Sequence, residues 1–108
     1  MKKIIPILFL AALSACTAKF MVPVQSDADL ATSKYPGTTL ADLTHGKALI
    51  EQHCDNCHGY KSPKSRGENA WKVTIPKMVK KINSSKQVLN SKDEQDILAY
   101  MVIMGKGK

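Results

Sequence analysis

The chain has 108 residues, a formal net charge of +7 and three cysteines. This length limits it to one small domain with short additional segments and excludes a multidomain protein. Aromatic residues make up only 6% of the sequence, so a domain of this size has little apolar core of its own.

The first fifteen residues have the pattern of a secretory signal peptide. Lys2 and Lys3 precede an apolar run at 4–13, and small residues follow it. The run is too short to cross a bilayer as a permanent helix. We therefore predict a signal peptide at 1–15 and an exported protein, and without the two leader lysines the net charge is about +5.

The sequence LSAC at 13–16 resembles the lipobox of bacterial lipoproteins. In that family the cysteine becomes the mature N-terminus and carries lipid. The resemblance implies lipidation of Cys16 and attachment to the periplasmic side of a bacterial membrane, and both the inner and the outer membrane fit the pattern. The alternative is an ordinary secreted protein in which Cys16 is removed or pairs elsewhere.

Residues 16–41 form a polar N-terminal extension. Ser26 is a candidate cap for a short helix, which must end before Tyr35-Pro36 because a residue preceding proline disfavours the helical conformation. Two readings remain open. The stretch is either a tether that lets the domain reach its partners or a segment packed over the domain, with Tyr35 and Leu40 in surface grooves.

The main domain is predicted at 42–108, and its first helix at 43–54. Asp42 or Thr44 can cap this helix, and apolar residues recur along one side of it. Gly46 lies inside the helix, where glycine costs up to about 1 kcal/mol relative to alanine. Close approach of another helix is one reason to find it there.

The sequence CDNCH at 54–58 is the haem-attachment motif of c-type cytochromes. If the preceding helix continues through Cys54, then Cys57 and His58 lie on the same face of it. Both sulfurs can then bond covalently to one porphyrin while the imidazole binds the iron. We predict one covalent haem c on Cys54 and Cys57, with His58 as the proximal iron ligand.

Three other interpretations of the motif fit the sequence less well. A zinc site lacks a second cysteine pair, and His45 and His53 have poor spacing for a zinc finger. A thioredoxin-like redox pair requires a βαβ unit, which the sequence does not predict. A disulfide across two intervening residues closes almost no loop and therefore stabilises little.

The middle of the chain supplies a candidate sixth iron ligand, Met78, which we place at a loop-to-helix boundary beside Pro76. A thioether opposite histidine raises the potential of a haem. We predict that Trp71 packs on the porphyrin, with its indole N–H a candidate donor to a haem propionate. The carbonyl of Pro63 is a candidate acceptor for the Nδ1–H of His58.

The last helix is predicted to begin at a capping box formed by Ser91 and Glu94, and to end at Gly105. Its residues 97, 98, 101 and 104 form an apolar face on a strongly amphipathic helix. We interpret Met101 and Met104 on this face as core residues.

Over about residues 42–104 the chain resembles a class I cytochrome c of the small, single-haem lipoprotein type. In that family the first helix has a glycine eight residues, and a large apolar residue four residues, before the first haem cysteine, and Gly46 and Ile50 stand there. The C-terminal helix crosses at the glycine with an aliphatic residue and, three positions on, an aromatic one, which Ile97 and Tyr100 match. The resemblance also covers the Trp-x₄-Pro-x-Met element that ends at Met78. It implies an all-α cytochrome c fold, in which the N- and C-terminal helices cross around one covalently bound haem.

Basic residues concentrate in the segment expected to surround the haem edge: Lys61, Lys64, Arg66, Lys72, Lys77, Lys80, Lys81 and Lys86. They indicate a surface that attracts a redox partner with an acidic docking surface. Contact with anionic lipid is a second interpretation, and ordinary solvation of a lysine-rich domain is a third. We expect a monomer that does not bind nucleic acid.

These patterns predict an electron-transfer protein that is not an enzyme, with His58 and Met78 as axial ligands. The alternative is a five-coordinate haem c protein that binds a small gas or peroxide as a sensor or peroxidase. A third hypothesis is a non-haem metal or thiol module.

Overall fold

The computed structural model describes residues 20–53 and 62–105, and these residues form helices and connections with no strand. The helices are α1 (Gln25–Lys34), α2 (Leu40–His53), α3 (Glu68–Ile82) and α4 (Ser91–Met104), and a short 3₁₀ turn spans Pro63–Ser65. The all-α class predicted from the sequence is confirmed for this part of the chain. None of the helices described is long and apolar enough to cross a bilayer.

Helix α4 lies at the centre of the core and contacts α1, α2, α3 and the 3₁₀ turn. The predicted face is buried or half-buried, but Tyr100, Val102 and Ile103 on the other sides of the helix are at most 2% exposed as well. The prediction of a strongly amphipathic helix was therefore wrong. From Asp96 to Met104 the helix is buried or half-buried on every side and needs cover on every side, and the sequence pattern of α4 alone does not show what provides it.

The N-terminal extension provides part of that cover. Phe20 is 3% exposed, Ala28 2% and Ala31 0%, and all three belong to the apolar core. The ring of Phe20 meets that of Tyr100 edge to face, with 6.1 Å between the ring centroids. Residues 20–39 of the extension are therefore packed over the domain, as the second of the two interpretations has it.

Helices α1 and α2 begin earlier than predicted, because aspartates bond back to main-chain N–H groups. Val24 N–H donates to the Asp27 carboxylate (2.8 Å), so α1 begins before the predicted cap at Ser26. Thr39 N–H donates to the Asp42 carboxylate (2.9 Å), and Asp42 N–H donates to the Thr39 hydroxyl (3.2 Å). This reciprocal pair is a capping box, so Asp42 lies in the first turn of α2 rather than at its cap.

The predicted capping box of α4 is wrong by one residue. Asn90 is the N-cap, its side-chain oxygen accepts from Asp93 N–H (2.8 Å), and the Asp93 carboxylate accepts from Asn90 N–H (3.0 Å). Both Asn90 and Ser91 can cap a helix, and each has an acidic residue three positions later. In the structure the capping box is formed by Asn90 and Asp93.

Helices α2 and α4 approach each other most closely at Gly46. A Cβ atom at Gly46 would lie 2.7 Å from the carbonyl carbon of Asp96 and 3.1 Å from the main-chain nitrogen of Ile97. No side chain fits in this space, so the expected close approach of a second helix is confirmed. Ile50, one turn further along α2, is 3% exposed on the same side of the helix.

Candidate functional site

The residues on which the haem prediction depends lie outside the described ranges. These are Cys16, Cys54, Cys57 and His58. The structure does describe both flanks of the motif: α2 ends at His53, directly before Cys54, and the chain resumes at Ser62. Both flanks belong to the helical core, so the motif connects two positions that are fixed with respect to each other.

The flank that follows the motif is held by the carbonyl of Pro63. Its oxygen accepts a hydrogen bond from the indole Nε1–H of Trp71 (3.0 Å). A Cβ atom at Gly105 would lie 2.6 Å from the same oxygen, so the end of α4 also packs closely against it. The φ angle of Gly105 is −81°, an ordinary helical value. Glycine is therefore needed here for the close approach of Pro63 rather than for a left-handed helix end.

Trp71 is 1% exposed and lies within the core. Its indole N–H, a candidate donor to a haem propionate, donates to Pro63 instead. The guanidinium of Arg66 lies 5.4 Å from the centroid of the indole ring, within the range of a cation–π interaction. Trp71 thus links the segment after the motif to α3. The packing of Trp71 on a porphyrin remains a prediction.

Met78 lies inside a helix and not at a loop-to-helix boundary, which corrects the prediction. Both Pro76 and Met78 belong to α3, which runs from Glu68 to Ile82. A proline inside a helix removes the bond to the carbonyl four residues earlier, here that of Lys72, and both Pro76 and Lys72 are exposed residues. Met78 is half-buried and packs against the core from the same face as Ile75 and Val79.

The other methionines have different environments. Met101 and Met104 are 3% and 2% exposed, so their interpretation as core residues is confirmed. Met21 is 44% exposed and lies in the N-terminal extension. Among the methionines of the described chain, Met78 differs from the others because it packs on the core and is still partly exposed.

A charged cluster that the sequence analysis did not predict lies where α2 meets α4. The Asp96 carboxylate is 5% exposed, its Oδ2 lies 2.8 Å from Nδ1 of His45, and its Oδ1 lies 2.7 Å from Nζ of Lys92. Lys92 also lies 2.9 Å from Asp42 on α2, and this pairing lowers the pKa of the Asp42 carboxyl. His45 itself lies on the surface of α2, with 46% of its side chain exposed.

A signal for this cluster was present in the sequence. His45 directly precedes Gly46, and Asp96 directly precedes Ile97. A helix crossing at Gly46 and Ile97 therefore also brings the two polar residues together. A buried carboxylate at a helix crossing needs such partners, since a charge without a partner is costly to bury.

A second charged cluster joins α1 to the start of α3. The Glu68 carboxylate lies 2.8 Å from Nζ of Lys34 and accepts a hydrogen bond from the Tyr35 hydroxyl (2.9 Å). The bond from Lys34, followed by that from Tyr35, lowers the pKa of Glu68 to about 2. Burial, followed by the bond to Glu68, raises the pKa of Tyr35 to about 12. The N-terminal extension is thus attached to the helix that contains Met78.

The described basic residues of the segment expected to surround the haem edge are exposed. They are Lys64, Arg66, Lys72, Lys77, Lys80, Lys81 and Lys86. On α3, Lys77 and Lys80 follow Val73 by about one and two helical turns, so the three share one side of the helix. Val73 is 57% exposed, so this side presents an apolar side chain among lysines.

Within 20–53 and 62–105, no group of three or more His, Cys, Asp or Glu side chains could hold a metal ion. Of the two predicted iron ligands, Met78 lies within the described residues and His58 lies outside them. No family model matches the chain, and neither a curated protein nor a solved structure is significantly similar to it.

Proposed function

We propose that this protein is a membrane-anchored electron carrier of the class I cytochrome c type. One haem c is bound covalently to Cys54 and Cys57, and His58 and Met78 are its axial ligands. When bound, the haem supplies one-electron exchange between ferric and ferrous iron. The carrier transforms no substrate, so we assign no general base and no nucleophile.

The observation that carries this proposal is the packing of α2 on α4 at Gly46. Gly46 lies eight residues before Cys54 in the sequence, and its main chain faces that of Asp96 and Ile97. A glycine at this spacing from the motif is one of the features on which the resemblance to the class I family depends. A helix crossing at that position supports a cytochrome c fold, because the motif then directly follows the crossing helix.

Two features of α3 support Met78 as the sixth ligand. It lies on the face of α3 that packs against the core, and it is only half-buried. Trp71, two turns earlier on the same face, is hydrogen-bonded to Pro63, which follows the motif closely in the chain. The chain after His58 is thereby attached to the helix that contains Met78.

The proposed partner is a redox protein with an acidic docking surface. The exposed lysines and Val73 on α3 support this choice, because charges around an apolar centre speed encounter without tight binding. Electron transfer between separate proteins should therefore slow as ionic strength rises. The membrane attachment in the proposal is through lipid on Cys16, at the periplasmic side of a bacterial membrane.

The proposal is tested by absorption spectra of the oxidised and reduced protein purified from its native host. Haem that stays on the denatured chain would report thioether attachment, and variants at Cys54 and Cys57 should lose it. In Met78→Ala we expect the weak far-red band of thioether-ligated ferric haem to disappear and the reduction potential to fall. The matched control is Met21→Ala, which removes an exposed methionine and should leave both unchanged.

Carbon monoxide separates the carrier from a five-coordinate haem protein that binds a gas or peroxide. A reduced haem with both axial positions filled binds carbon monoxide slowly, and Met78→Ala should bind it quickly. Rapid binding by the unaltered protein at neutral pH, equal to that of the variant, would refute ligation by Met78. A denatured chain without haem would instead favour a non-haem metal or thiol module.

A further inference from the structure

Exposed apolar side chains lie where the described chain begins. Met21, Val22 and Val24 are 44%, 70% and 50% exposed, although valine and methionine are usually buried. Pro23, which lies between Val22 and Val24, is buried, and so is Phe20, which precedes Met21. Three apolar side chains within four residues are therefore accessible on the surface.

This apolar segment (21–24) is held firmly on the domain at both ends. The hydroxyl of Tyr100 on α4 donates a hydrogen bond to the carbonyl of Met21 (2.6 Å). The main-chain N–H of Val24 donates to the Asp27 carboxylate (2.8 Å). Phe20, directly before the segment, is 3% exposed against Tyr100. The position of the segment is therefore fixed relative to the helices.

The chain between this fixed point and Cys16 is short. Four residue steps separate Cys16 from Phe20, and a fully extended chain of that length spans at most about 14 Å. A domain of this size is roughly 30 Å across. If Cys16 carries lipid, as the proposed function holds, the domain cannot move one diameter away from the bilayer. A long flexible tether is incompatible with a buried Phe20.

We propose that the apolar segment (21–24) docks on the lipid bilayer and gives the domain one fixed orientation on the membrane. Lipid on Cys16 and the burial of Phe20 place the segment at the membrane surface, where Met21, Val22 and Val24 enter the interfacial region. The nearest exposed charge on α1 is the acidic side chain of Asp29. The proposal assigns the docking to the apolar contact that these three side chains make.

The test uses single nitroxide spin labels on the full-length holoprotein. Val22→Cys places a label in the segment, and Val73→Cys and Val88→Cys are matched controls, because these valines are 57% and 43% exposed on other parts of the domain. Each protein is purified from membranes and reconstituted into vesicles of zwitterionic phosphatidylcholine. Power-saturation electron paramagnetic resonance then compares the accessibility of each label to oxygen, which enriches in lipid, and to a water-soluble nickel chelate.

We expect the ratio of oxygen to nickel accessibility to be several-fold higher at position 22 than at 73 and 88. In Cys16→Ser, which remains in solution, the three ratios should become alike. Equal ratios in the vesicle-bound protein would overturn the proposal, because they would show that the domain takes no fixed orientation on the membrane. Dipolar broadening at position 22 that persists when the vesicles are diluted with lipid would also overturn it, in favour of a second copy of the chain.

The protein without an introduced cysteine tests the premise separately. With haem on Cys54 and Cys57 and lipid on Cys16, it has no free thiol and should take up no label. Labelling of this protein would refute the proposed haem attachment or lipidation, and its mass would show which. An unlabelled protein with equal ratios at the three positions would refute the docking alone.

Discussion

The main chain of Gly46 on α2 lies directly against that of Asp96 on α4. A Cβ atom at Gly46 would approach within 2.7 Å of the carbonyl carbon of Asp96, which is closer than non-bonded carbons can lie. The side chain of Asp96 emerges from the same point and reaches His45, the neighbour of Gly46, at 2.8 Å. One contact thus fixes both the distance between the two helices and the partner of a buried carboxylate.

Gly46→Ala should destabilise the protein, because the added methyl group forces α2 away from α4. Inserting a methyl into a closely packed contact typically costs about 1–3 kcal/mol. The gain in helix propensity, up to about 1 kcal/mol, offsets only part of this. The measurement is the free energy of unfolding of the holoprotein in urea, followed by circular dichroism.

Gly67→Ala is the matched control for this variant. Gly67 caps α3, and a Cβ atom there meets nothing within 4 Å. Its substitution should cost less than about 1 kcal/mol, the loss expected when a favourable cap residue is replaced. Equal destabilisation by the two variants would show that the close approach at Gly46 has no special energetic role.

Asp96→Asn should destabilise the protein more than the loss of the lysine paired with it. The Asp96 side chain is 5% exposed, whereas that of Lys92 is 60% exposed. The amide keeps the shape of the carboxylate but loses the charge that holds His45 and Lys92, and a buried hydrogen bond to a charged group contributes about 1.5–3 kcal/mol.

Lys92→Ala leaves Asp96 its bond to His45 and removes a lysine that water solvates well. A clearly smaller change in the urea midpoint is therefore expected for this variant. A midpoint as low as that of Asp96→Asn would mean that the exposed lysine, and not the buried carboxylate, dominates the cluster.

Glu68 should contribute stability that is lost in acid. Its bonds to Lys34 and Tyr35 lower its pKa from 4.5 to about 2 in the folded protein. The contribution is therefore complete above about pH 4.5 and disappears as the pH falls from about 4.5 to about 2. Because the pair lies near the surface, we expect about 1 kcal/mol or less. The measurement is the stability difference between the unaltered protein and Glu68→Gln across this range.

Tyr35→Phe separates the contribution of Tyr35 from that of Lys34, the other close partner of Glu68. The pKa of Tyr35 is raised from 10.0 to about 12, so its contribution is complete below about pH 10 and is lost as the pH rises to about 12. The phenylalanine variant should lose this alkaline dependence and keep the part of the acid dependence that comes from Lys34. An acid dependence unchanged in Glu68→Gln would assign it to other carboxylates.

The sequence predicted those parts of the fold that depend on local patterns or on a spacing. The all-α class and the helix that contains Gly46 follow from the periodicity of apolar residues. The close approach of a second helix follows from Gly46 itself, because a glycine inside a helix is unfavourable unless its lack of a side chain is used. The helix starts were less accurate, because Asp27, Asp42 and Asp93 bond back to main-chain N–H groups and move each start by one or a few residues. Neighbouring residues with equal capping ability cannot be ranked from the sequence alone.

The sequence could not show what covers the far side of α4. Phe20 and Ala31 do so, and they come from a stretch whose polar composition resembles that of a linker. The cluster of His45 and Asp96 depends on residues 51 positions apart, and only the helix crossing relates them. Met78 was misplaced because a proline usually marks a helix boundary, while here Pro76 lies inside a helix.

Pro76→Ala should stabilise the protein and so test the cost of that proline. Pro76 has no N–H to donate to the carbonyl four residues earlier, and proline inside a helix is about 3 kcal/mol less favourable than alanine. Part of this cost is offset because proline also restricts the unfolded chain. We therefore expect the free energy of unfolding to rise by about 1–2 kcal/mol.

Lys77→Ala, at the next exposed position of α3, is the matched control and should change stability little. If Pro76 directs Met78 towards an iron, Pro76→Ala should combine greater stability in urea with easier displacement of the sixth ligand by added imidazole. Lys77→Ala should show neither effect. A Pro76→Ala protein that is less stable than the unaltered one would mean that the packing of Ile75 and Val79 on the core requires the proline.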